Sequence, residues 1–228
     1  MQLSIFEEAI TNIAPPKVAP KPYDYKRVLR DLNYKNSQHD LVVPTASNIT
    51  TYKSGSSAKS DILGYIEANS PIGITAIDAS APVRNIVSRY ISTGGRVFVD
   101  SGAFRNFKSR LKDPTVKLIN FDHVFACYED IIAGCTNTQS LIVVAPDSVG
   151  DQEYSYQLLV RYLPKIKNFL SFGVNLMVPL QKGELSIAKY YKKTVRLLGC
   201  DFICGLPSNA KALSKDEVFQ FLNLSFRT

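Results

Sequence analysis

Cysteine is scarce in this 228-residue chain, where Cys127, Cys135, Cys200 and Cys204 are the only four. No two of them stand in the paired CxxC spacing that gathers thiolates around one zinc ion, so the sequence offers no metal site. Their neighbourhoods, HVFACYE and CDFICGL, are apolar, which reads as small buried side chains in a reducing compartment. Long apolar runs are missing too, which leaves nothing to span a bilayer. The opening MQLSIFEEAITN has no basic stretch followed by an apolar one, so no secretory signal is read and a cytoplasmic location is expected. Acidic residues are the minority, 20 against 27 Lys and Arg, for a net charge of +7. That excess suits a polyanionic partner such as nucleic acid, although many enzymes carry as much. With 45% hydrophobic residues the chain is no disordered tail; it holds material for one large domain or two small ones.

Residues 2–13 have the spacing of a short amphipathic helix, and APPKVAPKP after them holds the chain extended, so 1–22 read as a helix and proline-rich connector. The body is 23–228. Within it, apolar runs bounded by turn residues recur at 41–46, 73–78, 96–102, 140–147, 175–181 and 200–207, and each reads as a buried strand. Between them lie segments of helical spacing, including 81–92, 151–170, 184–199 and 214–224. Ser214 with Glu217 is a capping box that starts the last of these helices. Alternation of strand and helix, with strands that are apolar throughout, predicts an α/β fold with a parallel sheet covered on both faces.

Polar residues cluster at the strand ends. Asp100, Asp147, Gln181 and Gly205-Leu206-Pro207 each follow an apolar run, where a parallel barrel or doubly wound sheet gathers its site. Any one of them alone is read as well as a helix cap or turn; four together point to a shared site.

Val99-Asp100-Ser101-Gly102-Ala103-Phe104 resembles the DSGGF signature of the guanine transglycosylases. Ala145-Pro146-Asp147, Gln181-Lys182-Gly183 and Cys204-Gly205-Leu206 resemble, in order, that family's strand-end aspartate, its glutamine-glycine strand end and its GGL turn. With Val149-Gly150-Asp151 and the GLPS at 205–208, the chain is most similar to the DNA-modifying, DpdA-like branch of phages and bacteria, over about residues 40–225. The resemblance implies a TIM-barrel-like parallel (β/α) domain across 23–228. It implies a base-exchange glycosyltransferase that replaces guanine in nucleic acid, DNA rather than tRNA, with a 7-deazaguanine, using no cofactor. Carried over residue by residue, Asp100 is the catalytic acid/base or orienting group, Ser101 belongs to the substrate site and Phe104 stacks on the base. Asp147 reads the Watson–Crick edge, where one carboxylate accepts guanine's two adjacent N–H donors, Gln181 and Gly205 donate to O6, and Leu206 belongs to the substrate site.

An exchanged base must be turned out of its stack, and Phe104 and Tyr154 are the aromatic candidates to hold it. Two basic stretches with interleaved aromatics, Arg105-Asn106-Phe107-Lys108-Ser109-Arg110 and Lys189 to Lys193, either grip phosphates or form solvated helix faces. Arg105, Lys108 and Arg110 are taken as the nucleic-acid contacts. The chain departs from the family at Ala103 and Cys204, which replace glycines, and at Arg105, which replaces a glutamine. The family's nucleophilic aspartate, and the zinc site of its tRNA members, lie farther past the GGL turn than the residues that follow Gly205. About six of eight barrel units are therefore expected, with the nucleophile supplied by a second chain or a homo-oligomer. The alternatives are a non-catalytic subunit that binds nucleic acid or deazapurine, and an unrelated small-molecule enzyme. Asp78 is the only other well-placed carboxylate, and it reads first as a helix cap.

Overall fold

The computed structural model describes residues 49–55, 57–207 and 213–225. The expected helix at 2–13, the proline-rich connector and the strand at 41–46 lie outside the described residues. From Thr50 onward the chain makes one compact α/β unit. Its elements run α1 (Lys59–Glu67), β1 (Ile72–Thr75), α2 (Ala81–Ser92), β2 (Val97–Asp100), α3 (Ala103–Lys112), α4 (Phe121–Ala133), β3 (Leu141–Val144), α5 (Gln152–Ser171), β4 (Asn175–Pro179), α6 (Ile187–Leu198), β5 (Ile203–Gly205) and α7 (Lys215–Ser225). Five of the six expected strands are therefore seen, and the four named helical segments all appear within three residues of their expected ends.

The five strands form one sheet in the order β1-β2-β3-β4-β5, every neighbouring pair parallel. Strand order that follows the chain has no reversal point, and crossovers of one hand then carry the helices to one side. Burial agrees. Val97, Val99, Leu141, Val143, Leu176 and Val178 are buried in the same core as residues of α1, α2, α4 and α5. Phe98 and Met177, which alternate with them, are only half-buried and point to the other face. Among the described residues the helical layer thus covers one face, which corrects the expectation of cover on both. The strands read as apolar throughout because their second face is apolar without being packed under helices.

Several helix starts have a local cause. The Asn120 side chain accepts from the backbone N–H groups of Asp122 and His123, Asp151 accepts from Tyr154 at 2.9 Å, and α2 opens with Pro82 in its first turn. The Ser214–Glu217 capping box forms as read, with Ser214 N–H donating to Glu217 at 2.7 Å and Glu217 N–H to Ser214 Oγ at 3.2 Å. Core packing between α4 and α5 is aromatic: Phe125 stacks on Tyr162 at 4.7 Å and on Phe169 at 5.5 Å. The β2–β3 crossover contains two helices. Of these, α4 supplies the core residues, whereas α3 buries Ala103 alone. No helix among the described residues is long and apolar enough to cross a membrane.

Candidate functional site

At the C-terminal ends of β2 to β5 a cavity of about 440 Å³ is lined by Asp100, Ser101, Phe104, Asp147, Gln181, Gly205 and Leu206, among others. The seven residues expected to meet substrate therefore share one concavity. They come from four successive strand ends, because each strand runs in the same direction and stops at the same level of the sheet.

Asp147 and Gln181 form the buried polar centre. Gln181 Nε2 donates to Asp147 Oδ2 at 2.8 Å, and Gly150 N–H donates to Gln181 Oε1 at 2.9 Å. The second bond fixes which end of the amide faces the carboxyl, so Gln181 retains one further N–H to offer a ligand. Burial pushes the Asp147 carboxyl up to about 7; the Gln181 donor pulls it down, and the neighbouring Asp100 pushes it up further. The loop that carries Gln181 is pinned by a residue the sequence reading did not single out. Gln152, buried at the start of α5, donates from Nε2 to the carbonyls of Gln181 (2.9 Å) and Leu185 (3.1 Å) and accepts from Leu185 N–H at 3.0 Å. A Cβ on Gly183 would lie 2.4 Å from Gln152 Cβ, so the loop closes this tightly only around glycine. The signal available in the sequence was the polar triplet Gly150-Asp151-Gln152 after the strand-end aspartate.

Asp100 stands on a partition. It lines the first cavity and also a neighbouring one of about 560 Å³ bordered by Ser54, Thr75, Asp78 and Arg105; Phe98 is common to both. Asp100 Oδ2 accepts from Gly102 N–H at 3.1 Å. Burial raises its carboxyl above the ordinary range, opposed by the Gly102 and Ser101 N–H groups and the Arg105 charge, with Asp78 pushing the same way as burial. Ser101 is buried, and its hydroxyl accepts from Ala103 N–H at 3.2 Å. Gly102 has φ +89, and a Cβ there would stand 3.0 Å from Ile77 and 3.1 Å from Thr75. The signature's turn thus needs that glycine on both counts.

Three expectations are redirected. Asp78 is no helix cap, since Ser80 holds that position in α2; its carboxylate makes a bidentate pair with Arg105, one bond of which is 2.6 Å long. Tyr154, on α5, is not among the residues lining either strand-end cavity. In the 189–193 stretch Tyr190 is buried, Tyr191 packs on Phe202 and Phe221, and Lys193 lies 3.7 Å over the Tyr156 ring. Those aromatics serve packing. Arg105, Lys108 and Arg110 all lie on α3, beside the cavity rather than in it, except that Arg105 reaches the neighbouring one. A larger cavity, about 610 Å³, sits at the opposite ends of β3 and β4, around Cys135, Thr138 and Phe172. No protein-family model, curated protein or solved structure matches this chain.

Proposed function

We propose that this protein is a base-exchange glycosyltransferase on a partial TIM-barrel-like scaffold, replacing guanine in nucleic acid, DNA before tRNA, with a 7-deazaguanine. The single observation that carries the reading is the convergence of Asp147, Gln181 and Gly205 on one cavity beside Phe104 and Asp100. Ionised Asp147 accepts N1–H and N2–H of guanine together, and the remaining Gln181 N–H meets O6. Because the Gly150 bond forbids the amide from presenting its oxygen, the pair selects an O6 acceptor over an exocyclic amine at that position. Phe104, half-exposed at the rim, offers its face to a base turned out of the stack.

Asp100 takes the sugar side. In a double displacement a carboxylate of a second chain attacks C1′ as the bond from C1′ to N9 breaks, and the leaving guanine carries off the electron pair and takes up a proton from Asp100. N9 of the incoming deazapurine then attacks C1′, gives its proton to Asp100 and frees the second chain's carboxylate. This chemistry needs a carboxylate at C1′ and a second group for the proton. The carboxylates lining the two cavities are Asp78, Asp100 and Asp147. Asp147 holds the base edge and Asp78 is engaged by Arg105, so among the described residues Asp100 alone remains for the sugar side. Asp100 is assigned the proton, and the nucleophilic carboxylate is assigned to a second chain. The same observation favours the other reading, a base- or nucleic-acid-binding subunit without activity of its own.

Exchange of radiolabelled guanine into DNA and into tRNA, by the purified chain with and without its co-purifying partner, tests the proposal. Incorporation into DNA that Asp100→Ala abolishes is the expected result. Guanine binding without exchange in either case establishes the binding subunit instead, and no guanine binding at all refutes both.

A further inference from the structure

Helix α3 is built inside out. Phe104, Phe107 and Leu111 recur at i, i+3 and i+7 and share one face, which in a surface helix ordinarily turns to the core. Here they are 47%, 37% and 70% exposed, while the partly buried positions are polar ones, Asn106, Ser109 and Arg110. Asn106 is tied there by donating to the Lys117 carbonyl at 2.9 Å. The core has no call on the apolar stripe because α4 performs the packing of this crossover. The rest of the helix is basic. Arg105, Lys108, Arg110 and Lys112 lie along it with no acidic residue, and the Lys108 ammonium lies 5.5 Å over the Phe104 ring. Phe104 also lines the strand-end cavity, so the stripe begins at the site and runs outward from it for about 10 Å at helical rise.

We infer that the outward face of α3 is a stacking platform for single-stranded nucleic acid, laying the one or two nucleotides beside the exchanged base on Phe107 and Leu111 while Lys108 and Lys112 hold their phosphates. The inference rests on the base-exchange reading for what enters the cavity. The occupant must bring flat apolar faces and negative charge at short, regular intervals, and an unpaired strand brings both. A duplex brings the charge but keeps its base faces stacked within, leaving Phe107 and Leu111 in water. Arg105 is held off by Asp78, so the phosphate contacts fall to the lysines on the exposed side.

Fluorescence anisotropy with a short labelled single-stranded DNA, against a duplex of the same sequence, tests the platform, with equilibrium dialysis of free guanine run beside it. The single strand is expected to bind at least about tenfold tighter than the duplex. F107A/L111A should weaken the single strand about tenfold and leave guanine binding unchanged, and F107Y, which keeps a stacking ring, should restore most of the loss. K108A/K112A should lower the slope of log affinity against log salt by about 1.4, at about 0.7 per phosphate contact. Asp147→Asn should do the reverse of the α3 variants, removing guanine and sparing an oligonucleotide that contains no guanine. Single-strand binding that depends on α3 in a chain that takes up no guanine would refute the exchange reading and uphold the platform. Equal affinity for strand and duplex, indifference to F107A/L111A, or a dimer in sedimentation that F107A/L111A dissolves without touching oligonucleotide affinity would overturn the platform.

Discussion

Replacing Asp147 by asparagine separates the folding role of the buried carboxyl from its proposed binding role, and pH is the lever. In the folded chain burial, chiefly, raises this group from 3.8 to about 7, against the pull of the Gln181 amide; in the unfolded chain it ionises near about 4. Between those values the folded state keeps a proton that the unfolded state has released. Folding stability attributable to this group therefore falls as pH rises from about 4 to about 7 and is level above. Each pH unit in that window corresponds to about 1.4 kcal/mol. From about pH 5 to about pH 8 the wild-type chain should thus lose on the order of 2–3 kcal/mol that the asparagine variant does not. Asp100 titrates in both chains and largely cancels in the difference. Urea unfolding of both proteins at the two pH values reads it directly: the variant should gain on the wild type by that amount. A difference that stays constant across the range refutes a buried, ionising carboxyl at this position. Guanine affinity gives the other half. It should rise through about pH 7 in the wild type as the carboxylate forms, and the variant should show neither the rise nor measurable binding, having lost an acceptor shared by two donors at about 1–3 kcal/mol each.

The other predictions are local. Gln152→Ala leaves the Gln181 and Leu185 groups without their partner; it should cost about 1–3 kcal/mol in urea unfolding and weaken guanine binding in dialysis, because the 181–185 loop loses its anchor. Gly102→Ala meets both a left-handed φ and crowding by Ile77 and Thr75, so a stability loss above about 1 kcal/mol is expected by thermal unfolding, with weakened base binding from displacement of Asp100 and Phe104. Phe125→Ala removes the ring between Tyr162 and Phe169; it should cost about 3–5 kcal/mol by urea unfolding and leave guanine affinity per folded molecule unchanged. Lys193→Ala should leave single-strand affinity unchanged in anisotropy, since that side chain serves Tyr156 and Glu153.

The strands were legible because each is a short apolar run between turn residues, and the site because polar residues sit at the end of such runs. Helix α2 was legible to the residue, since its buried positions Val83, Val87, Tyr90 and Ile91 keep helical spacing. Helix α1 buries Ile62 alone, too little for a pattern, whereas α4 buries seven residues on one face at helical spacing, a pattern the sequence did carry. Neither was named from the sequence. Which face the helices cover was beyond reach, because Phe98 and Met177 are as apolar as the residues packed behind them. Partners distant in the chain were also hidden. Asp78 meets Arg105 across 27 positions and Gln152 meets Leu185 across 33, and neither pairing leaves a local trace.

A sheet whose strand order follows the chain also sets an order of assembly. Each new strand needs only the one made just before it, joined by a single crossover, so no strand waits for a distant partner and the loop entropy of each step stays small. Growth can therefore proceed from the N-terminal side as the chain emerges during synthesis, one strand and helix docking on the last. The strand-end cavity does not grow in step with the fold. Its walls come from β2, β3, β4 and β5 in turn, and the last of these is three residues long and half-exposed. A nascent chain lacking only that strand would hold most of its core yet lack one wall of the recess, so the recess is completed only once β5 has emerged.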